Sequence, residues 1–326
     1  MRRRLERARF HTISDSSFFV GTVALLNSLR MTGHQDDVIV LDRGLSAEQC
    51  AILEPHCEIV RVDVEDVGSP AWLKPYPHLL ELDAGTIVIV DSDVIVTGSL
   101  EGVIDEAAAG QICAFAASSP ERWFAEWKDV FDLEATPRRQ PYVASGFIAL
   151  SADRWPDLLA MWWERCERWW YRPYVRGRRH DPLQFLDQDA LNALLMTEVP
   201  RSAVSVLPRE ANPFGYLLQQ VRTDDPRSLR YSCRGMSTLI LHNSGGRKPW
   251  EIRGLSGFRK WRPAYVRALR RVLFDADAVV QLSSDRVPVW LRPGPVGTTV
   301  ERAVSLAASS RYYGRELHRA TRRIWV

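Results

Sequence analysis

Asp91 and Asp93 stand two positions apart at the end of the run Thr86-Ile87-Val88-Ile89-Val90, and a second β-branched run, Val94-Ile95-Val96, follows at once. The first run reads as a fully buried strand, so carboxylates at its end are costly to bury unless a positive group holds them. A divalent cation is the natural partner. Hard oxygen ligands suit Mg²⁺ or Mn²⁺, which bind through one or two carboxylates when a substrate diphosphate supplies further ligands. Taken alone, Asp-x-Asp also fits a solvated strand end.

A second segment far downstream favours the chemical reading. His242-Asn243-Ser244-Gly245-Gly246-Arg247-Lys248-Pro249-Trp250 follows the apolar run Leu239-Ile240-Leu241 and brings an imidazole, two glycines and a cation together. Histidine is a common ligand for Mn²⁺-like ions, glycine lets the backbone approach a ligand, and Lys248 can neutralise a phosphate as a point charge. Between the two lies a third segment, Asp187-Gln188-Asp189-Ala190-Leu191-Asn192.

The three segments, D-x-D, D-Q-D-x-L-N and H-x-x-G-x-x-K-P-W in that order, resemble the retaining glycosyltransferases of family 8, the group of glycogenin and the bacterial lipopolysaccharide galactosyl- and glucosyltransferases. The likeness runs from the first strand to about Trp250. It implies that Asp91, Asp93 and His242 ligate Mn²⁺ (or Mg²⁺) bridging the phosphates of a nucleotide-sugar, with Lys248 on the diphosphate. It sets Gln188 near the β face of the donor sugar, with Asp187 and Asp189 shaping that pocket. Gln188, Asp187, Asp189 and Lys248 are therefore the expected catalytic group.

The strand Arg9-Phe10-His11-Thr12-Ile13-Ser14-Asp15 is similar to the segment that wraps the nucleotide base, with Thr12 and Asp15 in contact positions. Lys74, ahead of Pro75, matches a basic residue that faces the donor. Ser92, Ser145, Gly146 and Gly245 complete the expected donor contacts. One departure falls in Tyr142-Val143-Ala144-Ser145-Gly146: the family carries Asn where this chain has Ala144, and that Asn touches donor-sugar hydroxyls. Ser145 and Gly146 keep the close backbone approach, although a glycine bulge in a core strand fits the same residues.

The elements that must carry these residues alternate. Strand patterns fall at 10–13, 37–41, 58–62, 86–90, 112–116, 146–150, 202–206 and 238–241, with helical patterns at 17–31, capped by Ser16 or Ser17, and at 47–53. Such alternation predicts an α/β fold, a mostly parallel mixed sheet flanked by helices with ligand loops at the strand C-terminal ends. With the resemblance, the expected architecture is GT-A-like. The helical pattern at 155–171 carries five tryptophans, which fit core packing better than sugar stacking. A basic loop, Arg176-Gly177-Arg178-Arg179-His180, could instead meet an anionic acceptor or simply be solvated.

The 326 residues suffice for one large core with an appendage or for two domains. Five cysteines with no C-x-x-C pair argue against a disulfide framework or zinc finger and for a reducing cytoplasm. No stretch has the roughly 20 apolar residues of a membrane span, and the basic start Met1-Arg2-Arg3-Arg4 lacks the apolar region of a signal peptide. From Arg259 onward there are 14 Lys and Arg against 5 Asp and Glu, while the preceding residues are net negative. The expected domains are accordingly a catalytic domain at 1–258 and a basic, mainly helical extension at 259–326. Residues 300–326 read as a basic amphipathic helix suited to an anionic membrane surface, or equally to packing on the catalytic domain. No nucleic-acid motif accompanies the charge.

The segment Ser14-Asp15-Ser16-Ser17-Phe18 has neither a G-x-G-x-x-G nor a Walker pattern, which argues against dinucleotide oxidoreductases and P-loop enzymes. The expectation is a metal-dependent retaining hexosyltransferase using UDP-glucose or UDP-galactose and a saccharide or lipid-linked acceptor, cytoplasmic or peripheral at the inner face of a membrane. Sugar-phosphate nucleotidyltransferases share the fold elements but need a glycine-rich N-terminal loop, and a non-catalytic carbohydrate-binding relative would not need the metal and lysine residues.

Overall fold

The computed structural model describes residues 8–64, 67–80, 85–171, 181–215, 217–225, 228–245, 247–252, 262–303 and 305–306. The basic start, the loop 176–180, Gly246, the expected boundary at 258/259 and all but the first turns of the 300–326 segment lie outside them. In chain order the elements are β1 (Ala8–Ser14), α1 (Phe19–Met31), β2 (Asp37–Asp42), α2 (Ala47–Leu53), β3 (Glu58–Arg61), β4 (Thr86–Val90), β5 (Val94–Val96) and α3 (Glu101–Ala108). There follow β6 (Ile112–Ala116), α4 (Trp127–Val130), β7 (Val143–Ser151), α5 (Leu158–Glu167), α6 (Asp187–Leu195) and β8 (Val204–Leu207). The last are β9 (Val221–Thr223), β10 (Tyr231–Cys233), β11 (Met236–Ser237), β12 (Ile240–His242) and α7 (Pro263–Phe274).

The chain forms two compact units. One comprises Met1–Phe19, Gln35–Ser92 and Leu100–Arg209. It holds a seven-stranded sheet in the order β3-β2-β1-β4-β7-β6-β8. All pairs are parallel except those of β7, which runs antiparallel to both β4 and β6. All five residues of β4 and all nine of β7 are buried, as expected of strands covered on both faces. The sheet is thus the mostly parallel mixed sheet flanked by helices that the alternation predicts.

The α5 helix is shorter than the 155–171 pattern at both ends, and at its start Pro156 disfavours helical backbone at Trp155. Its tryptophans are core residues. Trp162 is fully buried in a large apolar cluster, and Trp155 and Trp169, which flank the helix and pack partly buried against that cluster, donate their indole N–H groups to the carbonyls of Gly110 and Val130. Asp15 Oδ1 accepts from the amides of Ser17 and Phe18 at 2.8 and 3.1 Å in the turn that leads into α1.

The second unit comprises Val20–His34, Asp93–Ser99 and Glu210–Val326. It therefore takes in residues on both sides of 258. Here β5 pairs antiparallel with β12, and β9, β10 and β11 form a small separate sheet. Asn27 of α1 donates to the carbonyls of Val272 and Val280 and accepts from the Val280 amide, tying α1 to the end of α7 and the chain beyond it. Among the described residues no helix is long and apolar enough to cross a membrane.

His11, in the middle of β1, is buried, with neither ring nitrogen bonded. Burial, followed by the nearby Arg9 charge, lowers its pKa from 6.5 to about 3. The unfolded chain then binds a proton that the folded chain refuses, so stability falls as pH drops below 6.5. Between pH 7.5 and 5 this amounts to about 2 kcal/mol. Denaturant titrations should show His11→Leu losing that part of the acid sensitivity, whatever its effect at neutral pH.

Candidate functional site

Each unit gathers its own share of the expected site. In the second unit the β5–β12 ladder pairs His242 with Val94, one residue beyond Asp93. That register brings His242 Nε2 to 3.2 Å from Asp93 Oδ1. Gly245 takes φ +68°, a left-handed conformation that glycine adopts without strain. The chain after it returns Lys248 to the same carboxylate. Lys248 Nζ donates to Asp93 Oδ2 and, at 3.0 Å, to the Asn243 carbonyl, while its own amide is held by Glu251 at 2.7 Å.

Asp93, His242 and Lys248 are all buried. Burial alone would raise the Asp93 pKa. The His242 and Lys248 charges outweigh it and hold the carboxyl well below the usual range, so Asp93 stays ionised.

In the first unit Asp91 ends β4, its amide bonded to the Gly146 carbonyl of β7 at 3.0 Å. Lys74 follows a 3-10 turn, Pro70–Leu73, whose Trp72 and Leu73 are buried. The turn inserts the lysine between two carboxylates: Nζ lies 2.9 Å from Asp91 Oδ1, 3.2 Å from Asp187 Oδ2 and 3.1 Å from Ser145 Oγ. Ser145 Oγ in turn donates to Asp187 Oδ2 at 2.7 Å. Burial works against the Lys74 charge, yet Asp187 and Asp91 overcome it and raise the pKa above the ordinary lysine value.

The D-Q-D-x-L-N segment is α6 and its side chains clamp β7. Gln188 Oε1 accepts from the Ser145 amide at 3.1 Å. One turn on, Asn192 both accepts from the Val143 amide and donates to its carbonyl at 2.8 Å, as a neighbouring strand would. Asp189 points elsewhere. Arg122 grips both its oxygens at 2.7 and 2.9 Å, Tyr142 donates to Oδ1 at 2.7 Å and the Phe185 amide to Oδ2 at 2.6 Å. Burial pushes the Asp189 pKa up and Arg122 pulls against it.

The expected residues thus meet as Lys74, Asp91, Ser145, Gly146, Asp187 and Gln188 in one unit and as Asp93, His242 and Lys248 in the other. Ser92, buried, is the link between Asp91 and Asp93 along the chain. Parallel pairing of β1 with β4 sets Thr12 and Asp15 toward the same sheet edge as Asp91. Thr12 Oγ1 is buried without a bond, and Asp15 Oδ1 accepts from the Ser17 amide. Sequence reasoning missed Arg122 and Tyr142, which no motif marks, and left Asn192 without a role although the motif contains it.

Comparison with known proteins places the architecture. No protein-family model matches the chain, and no curated protein matches it in sequence. Its fold does have solved counterparts. The galactosyltransferase LgtC, in a complex with donor and acceptor sugar analogues, aligns with a TM-score of 0.56 at 19% identity, over 80% of this chain and 95% of that one. An active-site mutant of LgtC aligns at 0.53 and 19% identity, over 74% and 89% of the two chains. WbbM, a bifunctional glycosyltransferase, aligns at 0.53 and 16% identity over 81% of this chain, which spans half of WbbM's length. The fold is GT-A-like.

The donor set fits a divalent cation of the Mn²⁺ or Mg²⁺ kind. Asp93 is a buried, ionised carboxylate with an imidazole nitrogen beside it, and Asp91 is two residues away along the chain.

The Arg122–Asp189 pair is buried, so removing one partner leaves the other charge uncompensated. Arg122→Met should cost about 3–5 kcal/mol in denaturant unfolding. The double variant Arg122→Met with Asp189→Leu should recover much of that loss.

Proposed function

We propose that this chain is a metal-dependent, retaining glycosyltransferase that moves a hexose from a nucleotide-diphosphate sugar, UDP-glucose or UDP-galactose, to a saccharide or lipid-linked acceptor. One observation carries the reading: His242 and Lys248, the two chemical residues of the downstream segment, both bond the Asp93 carboxylate of the D-x-D segment. The GT-A-like fold supports it.

In this reading Asp91, Asp93 and His242 hold Mn²⁺ or Mg²⁺. When bound, the ion supplies Lewis-acid stabilisation to the departing diphosphate. Lys248 adds a preorganised positive charge for the same group. Thr12 and Asp15 contact the base, and Ser92, Gly146 and Gly245 let the backbone approach the donor. Lys74 and Ser145 orient Asp187 toward the sugar, and Lys74 also steadies Asp91. Asp189, with both oxygens engaged, acts by fixing α6 rather than by touching a reactant.

Gln188 offers a half-buried amide, a poor nucleophile, so the reaction is assigned a front-face substitution. The bond from the anomeric carbon to the diphosphate oxygen breaks with its electron pair on the diphosphate. An acceptor hydroxyl oxygen bonds the same face of that carbon and passes its proton to the departing diphosphate oxygen. Gln188 steadies the oxocarbenium-like sugar between these events.

Incubation with Mn²⁺ and a panel of UDP-sugars should release UDP slowly by donor hydrolysis, and chelation should stop it. Lys248→Ala should lower turnover by about one to three orders of magnitude. Gln188→Ala should lower turnover with nucleotide affinity near wild type. Full activity in both variants would remove the site from consideration.

The acceptor is assigned to an anionic membrane surface reached through the basic C-terminal region, where the described residues Val289, Val296 and Leu306 are also exposed. Each Lys or Arg near such a surface contributes about 1 kcal/mol, attenuated by salt. Deleting 300–326 should abolish sedimentation with phosphatidylserine vesicles and spare UDP-sugar hydrolysis. Equal vesicle binding by both proteins would refute the membrane assignment.

A further inference from the structure

Asp93 makes one more contact, through its main chain. Tyr265, in the first turn of α7, is fully buried and its hydroxyl donates to the Asp93 carbonyl at 2.8 Å. Among the described residues a second donor to this oxygen, the Asn243 amide, is at 3.4 Å, a stretched bond beyond the end of the β5–β12 ladder. The phenol is therefore the short bond at the point where the ladder gives out.

Its carrier is itself fixed. Ala264, Val266, Ala268, Leu269, Val272 and Leu273 of α7 are buried, and Asn27 bonds the Val272 carbonyl near the helix end. At the far end of β5, Ser28 Oγ accepts from the Val96 amide at 3.0 Å. The three-residue strand is thus pinned at Val96 from α1 and just ahead of Val94 from α7.

We propose that Tyr265 is a positioning residue for the cation site: it fixes the Asp93 peptide so that the carboxylate meets the ion already oriented. This rests on the reading that Asp93 is a metal ligand. Groups that orient a ligand without touching the ion contribute about 10- to 100-fold to metal affinity. Phenylalanine keeps the ring packing and removes only the donor.

The test uses the full chain and Mn²⁺ alone, with free Mn²⁺ followed by electron paramagnetic resonance and no donor present. Tyr265→Phe should raise the Mn²⁺ dissociation constant about 10-fold. In hydrolysis assays the Mn²⁺ requirement should rise in step, with turnover at saturating Mn²⁺ near wild type. Replacing Tyr265 with 4-aminophenylalanine, which retains a donor at the ring terminus, should restore affinity. If Tyr265→Phe binds Mn²⁺ as wild type does, even with a lower melting temperature, the residue is structural only and the proposal falls. Tyr265→Met, also without the donor, decides the same question should the phenylalanine variant not fold. Absence of saturable Mn²⁺ binding by the wild type would instead overturn the metal reading and this inference with it.

Discussion

A carboxylate at the end of a buried strand demands a cation, and the surroundings of the half-buried Asp91 and the buried Asp93 follow from that demand. An uncompensated buried charge costs several kcal/mol, more than most single contacts return. Lys248 and His242 answer Asp93, while Lys74 answers Asp91 and Asp187 together. Each lysine needs backbone that delivers it into the protein: a 3-10 turn anchored by Trp72 and Leu73 for one, a left-handed glycine for the other. Such pairs are weak sources of net stability. What they provide is charge held in place before a ligand arrives, which is the form of electrostatics that catalysis can use.

The same demand explains why α6 begins as it does. Asp187 and Asp189 are two residues apart at a helix start, so their side chains leave the helix in different directions. One joins Lys74 and Ser145; the other joins Arg122 and Tyr142. The residue before them, Leu186, sits at φ +51°, a strained conformation for a branched side chain. Burial of that leucine and the Phe185 amide bonded to Asp189 hold the strained turn in place. Gln188 and Asn192, four residues apart and on one face, then reach β7 at Ser145 and Val143.

Where local signals were strong, the sequence was readable. β4 is a five-residue β-branched run and was found with its ends, and α2 carries the Ser46–Gln49 capping box that marks a helix start. Strands β9, β10 and β11 are two or three residues long, too short to show alternation, and were missed. The D-x-D, D-Q-D and histidine–lysine segments were legible because their residue types are unusual for their surroundings. Arg122 was not, since an arginine becomes significant only once a fold brings it to Asp189, 67 positions away. Tyr265 was hidden for the same reason: in the sequence it is one more aromatic residue on an amphipathic helix, and its function lies in a bond to a backbone atom 172 positions earlier.

Ala144 bears on what the site can distinguish. Under the proposed function the family's Asn at this position would offer an amide to donor-sugar hydroxyls, and the neighbouring Ser145 is the obvious substitute. The structure commits that hydroxyl differently: its proton goes to Asp187, and it receives Lys74. A hydroxyl has a single proton, so Ser145 has none left for a sugar while this arrangement stands. Sugar recognition then falls to Asp187 and Gln188, one an acceptor while ionised and the other able to donate and accept. Sites that read a hydroxyl through several groups discriminate strongly because a wrong sugar leaves buried polar atoms unpaired. Under the proposed function, one amide fewer would leave less of that penalty to impose, and the choice between hexoses that differ in one hydroxyl would be correspondingly looser.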